Sequence, residues 1–98
     1  MEKREPLSSD QINEALRSLE GWRFEDNSLR KTFTLKDFRA AMGFLVRLSY
    51  SAEALNHHPE IHNVYNRVEL SLSTHDAGNR VTKMDLELAR AIETFSWV

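Results

Sequence analysis

The spacing of apolar residues changes period several times along this chain, and the changes divide it into successive elements. From about Ser9 to Leu19 the apolar residues Ile12, Ala15, Leu16 and Leu19 fall at helical spacing and make one stripe, which predicts an amphipathic helix. Ser8 and Gln11 suit a capping box at its start, and Gly21 suits a stop. The period then drops to two. Trp22 and Phe24 alternate with polar residues, and Glu25-Asp26-Asn27-Ser28 carries turn chemistry. Leu29, Phe33 and Leu35 share one face of a following strand, with Arg30, Thr32 and Thr34 on the other.

The longest helix is predicted from about Lys36 to Asn56. Phe38, Ala41, Met42, Leu45, Leu48, Ala52 and Leu55 form its stripe, Phe44 and Tyr50 widen it, and Val46 lies on another side. So broad an apolar surface exceeds what one small sheet needs, which points to helix contacts between subunits. Gly43 at mid-helix fits either close approach of another helix or a tolerated glycine. Pro59 stops the helix and biases His58 toward an extended backbone. From about Val64 to Ser73, Val68, Leu70 and Leu72 alternate with Glu69, Ser71 and Ser73, as one strand or two. Asp76-Ala77-Gly78-Asn79 reads as a turn. A last helix is predicted from Thr82, capped by Thr82 with Asp85 three positions on, and with Val81 and Leu86 as a hydrophobic staple. Its inner face carries Leu88, Ala89, Ile92 and Phe95. This order predicts an α+β fold, an antiparallel sheet of about four strands with three helices packed on one face. Residues 1–7 read as a flexible N-terminal arm and residues 8–98 as a single domain.

Composition narrows the function. The chain has 98 residues, 41% hydrophobic and 29% charged, with a formal net charge of -2, which is ordinary globular composition. A domain this small buries only roughly 60–70% of its unfolded surface, so self-association would help it. No Lys/Arg block stands out, which argues against a general nucleic-acid surface. The absence of cysteine excludes disulfides, thiol catalysis and Cys-ligated zinc. The run around Phe44-Leu45-Val46 is too short to span a membrane, and the polar start Met1-Glu2-Lys3-Arg4-Glu5-Pro6 lacks the apolar stretch of a signal peptide. A cytoplasmic protein is expected.

All four histidines, His57, His58, His62 and His75, fall within one stretch. Imidazole is the side chain whose ordinary pKa lies nearest working pH, so it donates or accepts a proton without heavy tuning. A histidine concentration at a helix end, a proline turn and a strand end suggests the rim of a ligand site. Single exposed histidines are commonly bland, and the cluster carries more weight than any member. A metal site is the rival reading, with His75 and Asp76 as added ligands. Its spacing is poor, because His58 and His62 are four apart with Pro59 between them, and His57 and His58 are adjacent. No nucleophile elbow and no glycine-rich phosphate loop is present.

The stretch Glu53-Ala54-Leu55-Asn56-His57-His58-Pro59, followed by Tyr65, His75 and Asp85, resembles the signature of the pterin-4a-carbinolamine dehydratases. Asn63-Val64-Tyr65-Asn66-Arg67-Val68, Leu72-Ser73-Thr74-His75 and Asp85-Leu86-Glu87-Leu88-Ala89 are similar to it too. The likeness extends more loosely back to Trp22 and to Thr34-Leu35-Lys36-Asp37-Phe38. Asn56 departs from it, standing where some relatives carry aspartate, as do Ile61 and His62, which replace an aromatic pair.

The resemblance implies a small-molecule pterin substrate, a homo-oligomer (dimer or tetramer), no metal and no cofactor. It also implies a functional link to an aromatic amino acid hydroxylase, while the charge pattern and the short apolar runs argue against direct contact with nucleic acid or membrane. The implied reaction removes water from a 4a-hydroxytetrahydropterin, giving quinonoid dihydropterin and recycling a pterin cofactor. His57 and His75 are the expected proton-exchanging groups, and His58 binds and orients the ring. Pro59, Glu53, Ser73, Thr74, Asp76 and Asp85 complete the expected substrate-binding set, with Glu53 one helical turn before His57 and able to orient it. For Asp85 a helix-start carboxylate, and for Tyr65 and Trp22 core aromatics, are the plain structural alternatives. A non-catalytic binding or dimerisation module working through the long helix is the alternative function.

Overall fold

The structure, a computed structural model, describes residues 5–95. The elements run α1 (Ser9–Leu16), β1 (Arg23–Glu25), β2 (Ser28–Thr34), α2 (Phe38–Leu55), β3 (Glu60–Val64), β4 (Arg67–Leu72), a single 3-10 turn (His75–Ala77) and α3 (Lys83–Glu93). Capping residues set the helix starts. Ser8 and Gln11 close the capping box of α1, Asp37 accepts from the Ala40 N–H at 2.8 Å to begin α2, and Thr82 and Asp85 close a second box at α3. The first helix ends at Leu16 rather than Leu19, and Leu19 is buried in the turns that follow.

All strand pairs are antiparallel, in the order β1-β2-β4-β3. The β1–β2 hairpin closes through Asp26 and Asn27, both at positive φ (52° and 60°), as a two-residue turn matched to strand twist requires. The segment expected from Val64 to Ser73 is a second hairpin. It turns at Tyr65-Asn66, with Tyr65 at φ 56°, so β3 begins as early as Glu60. Tyr65 is therefore an exposed turn residue and not a core aromatic, whereas Trp22 is buried.

Register places Leu29 opposite Leu72 and Phe33 opposite Val68, and with Leu70 these make the buried face of the sheet. The helices cover this face. Ile12 and Ala15 of α1, Ala41, Phe44, Leu48 and Ala52 of α2, and Leu88, Ala89 and Ile92 of α3 are buried. Phe44 sits at the centre of the core instead of widening a stripe. Its ring lies 4.8 Å from that of Phe33 and 5.7 Å from that of Phe95, while Phe38 is exposed. The core also reaches into the expected N-terminal arm. Residues 1–4 lie outside the described residues, but Leu7 is buried and its N–H donates to the Val81 carbonyl at 2.9 Å.

Helix α2 ends on Asn56 in the left-handed region (φ 51°, ψ 45°), and its backbone N–H donates to the Glu53 carbonyl. Asparagine tolerates this conformation better than β-carbon-branched residues do. Chemical denaturation is expected to show Asn56→Gly near the wild type and Asn56→Val less stable by about 1–2 kcal/mol; equal losses would exclude backbone conformation as the cause. Phe44→Ala is expected to cost about 3–5 kcal/mol in the same measurement.

Candidate active site

The β3–β4 hairpin brings two distant stretches side by side. Its last pair is Glu60 opposite Ser71. Counted outward in the same register, His58 falls opposite Ser73 and His57 opposite Thr74. The chain leaving α2 and the chain leaving β4 thus meet at one end of the sheet.

Two adjoining clefts open there. A cleft of about 390 Å³ is lined by Ser28, His58, Pro59, Glu60, Ser71, Ser73, His75 and Asn79. The other, about 220 Å³, is lined by Asn56, His57, His58, Ser73, Thr74, His75 and Asp76. His58, Ser73 and His75 belong to both, and the three expected histidines, His57, His58 and His75, all line the second. His62 lies apart, on the open face of β3 opposite Glu69.

Each histidine has a distinct setting. His57 is 9% exposed, and its Nε2 lies 2.5 Å from Oδ1 of Asp85. Asp85 is fully buried at the start of α3, where its Oδ2 accepts from the Thr74 hydroxyl and the Thr82 N–H, both at 2.9 Å. The Thr74 and Thr82 hydroxyls are 2.7 Å apart, and the Met84 N–H donates to Thr82 Oγ1 at 3.1 Å. This satisfied network joins the end of α2, the end of β4 and the first turn of α3. His58 is exposed, and its Nε2 lies 2.8 Å from Oε2 of Glu53. His75 sits on the 3-10 turn with Nδ1 3.3 Å from Asn79 Oδ1. That turn is closed by the Thr74 N–H donating to the Arg80 carbonyl and by Gly78 and Asn79 at positive φ (71° and 60°).

At three expected site residues the contacts differ from those the spacing suggests. Glu53 reaches His58 and not His57, because the left-handed turn at Asn56 ends the helical spacing that would have paired Glu53 with His57. Asp85 lines neither cleft; it is buried behind His57 and in contact with its Nε2. Thr74 is only 2% exposed, and its hydroxyl is committed to Asp85 and Thr82. Pro59, Ser73 and Asp76 do line the clefts. Ser28, Glu60 and Ser71 also line them and escaped sequence reasoning, since only the strand register reveals their position; Asn79 lines them from the turn that follows His75. Among the described residues, no group of three or more His, Asp or Glu side chains is placed to hold a metal ion, and no helix is long and apolar enough to cross a membrane.

Known proteins resemble this chain in sequence and in fold. Residues 5–95 match the family described as pterin 4 alpha carbinolamine dehydratase. A protein of Opitutus terrae named for that dehydratase is 52% identical over 92 residues, covering 94% of this chain and 95% of its own. One from a Bradyrhizobium species, named likewise, is 47% identical over 94 residues, covering 94% and 93%. The crystal structure of a transcriptional coactivator/pterin dehydratase from Brucella melitensis superposes with a TM-score of 0.89 at 40% identity, covering 94% of this chain and 99% of that one. By sequence and by fold, the chain belongs to the pterin 4 alpha carbinolamine dehydratase family.

Proposed function

We propose that this protein removes water from a 4a-hydroxytetrahydropterin by histidine general acid-base catalysis, releasing quinonoid dihydropterin and so recycling a pterin cofactor in the cytoplasm. The observation that carries the reading is the convergence of His57, His58 and His75 on one cleft. The substrate bears a hydroxyl on C4a beside N5–H. One imidazole takes the N5 proton while the other protonates the departing hydroxyl, and the C4a–N5 double bond forms as water leaves. No electron is gained or lost. His57 and His75 are the proton-exchanging pair. His58, steadied by Glu53, holds the ring with Pro59, Ser73 and Asp76. A hydroxylase that adds oxygen at C4a, such as an aromatic amino acid hydroxylase, would supply the substrate.

A second reading rests on the exposed face of α2, where Val46 is 57% and Tyr50 69% exposed alongside Phe38. This apolar face fits self-association into a dimer or tetramer, and equally a dimerisation or binding role, in keeping with the Brucella melitensis protein being called a transcriptional coactivator.

Loss of 4a-hydroxytetrahydropterin absorbance is expected to accelerate with purified protein. His57→Ala and His75→Ala should each lower kcat by about 10²–10⁴-fold with the fold intact, the usual contribution of a general acid or base. His58→Ala should chiefly raise KM. Full activity in both of the first two variants would remove the assignment. Light scattering is expected to show Val46→Asp shifting the protein toward monomer; an unchanged mass would exclude the α2 face as the contact.

A further inference from the structure

The buried network behind His57 carries more information than a helix cap requires. Following its donors in order fixes where each proton lies. The Met84 N–H donates to Thr82 Oγ1, so the Thr82 hydroxyl is free to donate onward to Thr74 Oγ1. The Thr74 hydroxyl in turn donates to Asp85 Oδ2, which also accepts the Thr82 N–H. Both donors approach the same carboxyl oxygen. Oδ1 is left for His57 Nε2 alone. A carboxylate accepts and does not donate, so the proton in that contact belongs to the imidazole. His57 Nδ1 makes no hydrogen bond within the described residues, and no buried side-chain nitrogen or oxygen among them lacks a partner. Nδ1 therefore reaches solvent, on a ring that lines the cleft.

We propose that the first turn of α3 holds neutral His57 as the Nε2–H tautomer, with Nδ1 the nitrogen that exchanges a proton with substrate, and that Thr74 is a positioning residue and not a substrate contact. The assignment of Nδ1 to catalysis rests on the dehydratase reading; the tautomer does not. The network also dictates the response to one substitution. In Asp85→Asn the two donors from Thr74 and Thr82 select the amide oxygen for the Oδ2 position. The amide NH₂ then faces Nε2, which must accept, and the imidazole proton moves to Nδ1.

Long-range ¹⁵N–¹H correlation spectra of uniformly labelled protein read the tautomer directly. The chain has only four histidines, so His57 is identified by its loss in His57→Ala. The expected results are Nε2–H in the wild type and Nδ1–H in Asp85→Asn, with turnover of that variant reduced on the order of 10²–10⁴-fold. A wild-type ring protonated on Nδ1, or an unchanged tautomer in Asp85→Asn, would overturn the proposal whether or not the protein dehydrates pterins. Absence of turnover with an Nε2–H ring would instead strike the catalytic reading alone. For Thr74, the Val variant should lower kcat at unchanged KM and the Ser variant should restore it. A raised KM at unchanged kcat in Thr74→Val would return Thr74 to the substrate-binding set. The wild-type spectrum decides the tautomer even where a variant fails to fold.

Discussion

A carboxylate with no exposure to solvent has to be answered by donors, and at Asp85 three parts of the chain answer it. His57 arrives from the end of α2, Thr74 from the end of β4, and the Thr82 N–H from the start of α3 itself. Burying such a group without these partners would cost several kcal/mol, so the folded chain keeps them together. One interaction thus serves two purposes. It closes the seam between helices and sheet, and it anchors an imidazole whose other nitrogen reaches solvent at a cleft.

The three histidines divide by rigidity. His57 is clamped from behind, His75 rides a tight turn closed against Arg80, and His58 stands in solvent with only Glu53 beside it. Proton transfer depends on atoms held at hydrogen-bonding distance, whereas a group that orients a ring can swing in with the ligand. The proposed assignment of His57 and His75 to chemistry, and of His58 to binding, is in keeping with that division.

Much of this was legible from residue pattern. The capping residues Ser8, Thr82 and Asp85 announced their helices, and alternation at Val68, Leu70 and Leu72 announced the central strand. The histidine cluster pointed to the end of the sheet where the two clefts open. What stayed hidden was register. The turn at Tyr65-Asn66 lacks the glycine that marks most tight hairpins, so β3 and β4 read as one run. Once that turn is placed, simple counting sets His58 opposite Ser73 and exposes Ser28, Ser71 and Glu60 as cleft residues. The exchange of partners between Glu53 and Asp85 was hidden for a different reason. It depends on the left-handed residue Asn56, whose conformation a helical spacing rule does not include.

The proposed chemistry requires His57 and His75 to flank the C4a–N5 edge of a single pterin. A crystal structure of the protein with a stable dihydropterin tests it most directly. The ring is expected in the cleft lined by His57, His58 and His75, with imidazole nitrogens of His57 and His75 within hydrogen-bonding reach of that edge. A pterin bound elsewhere, or one that only a single histidine can reach, would contradict it.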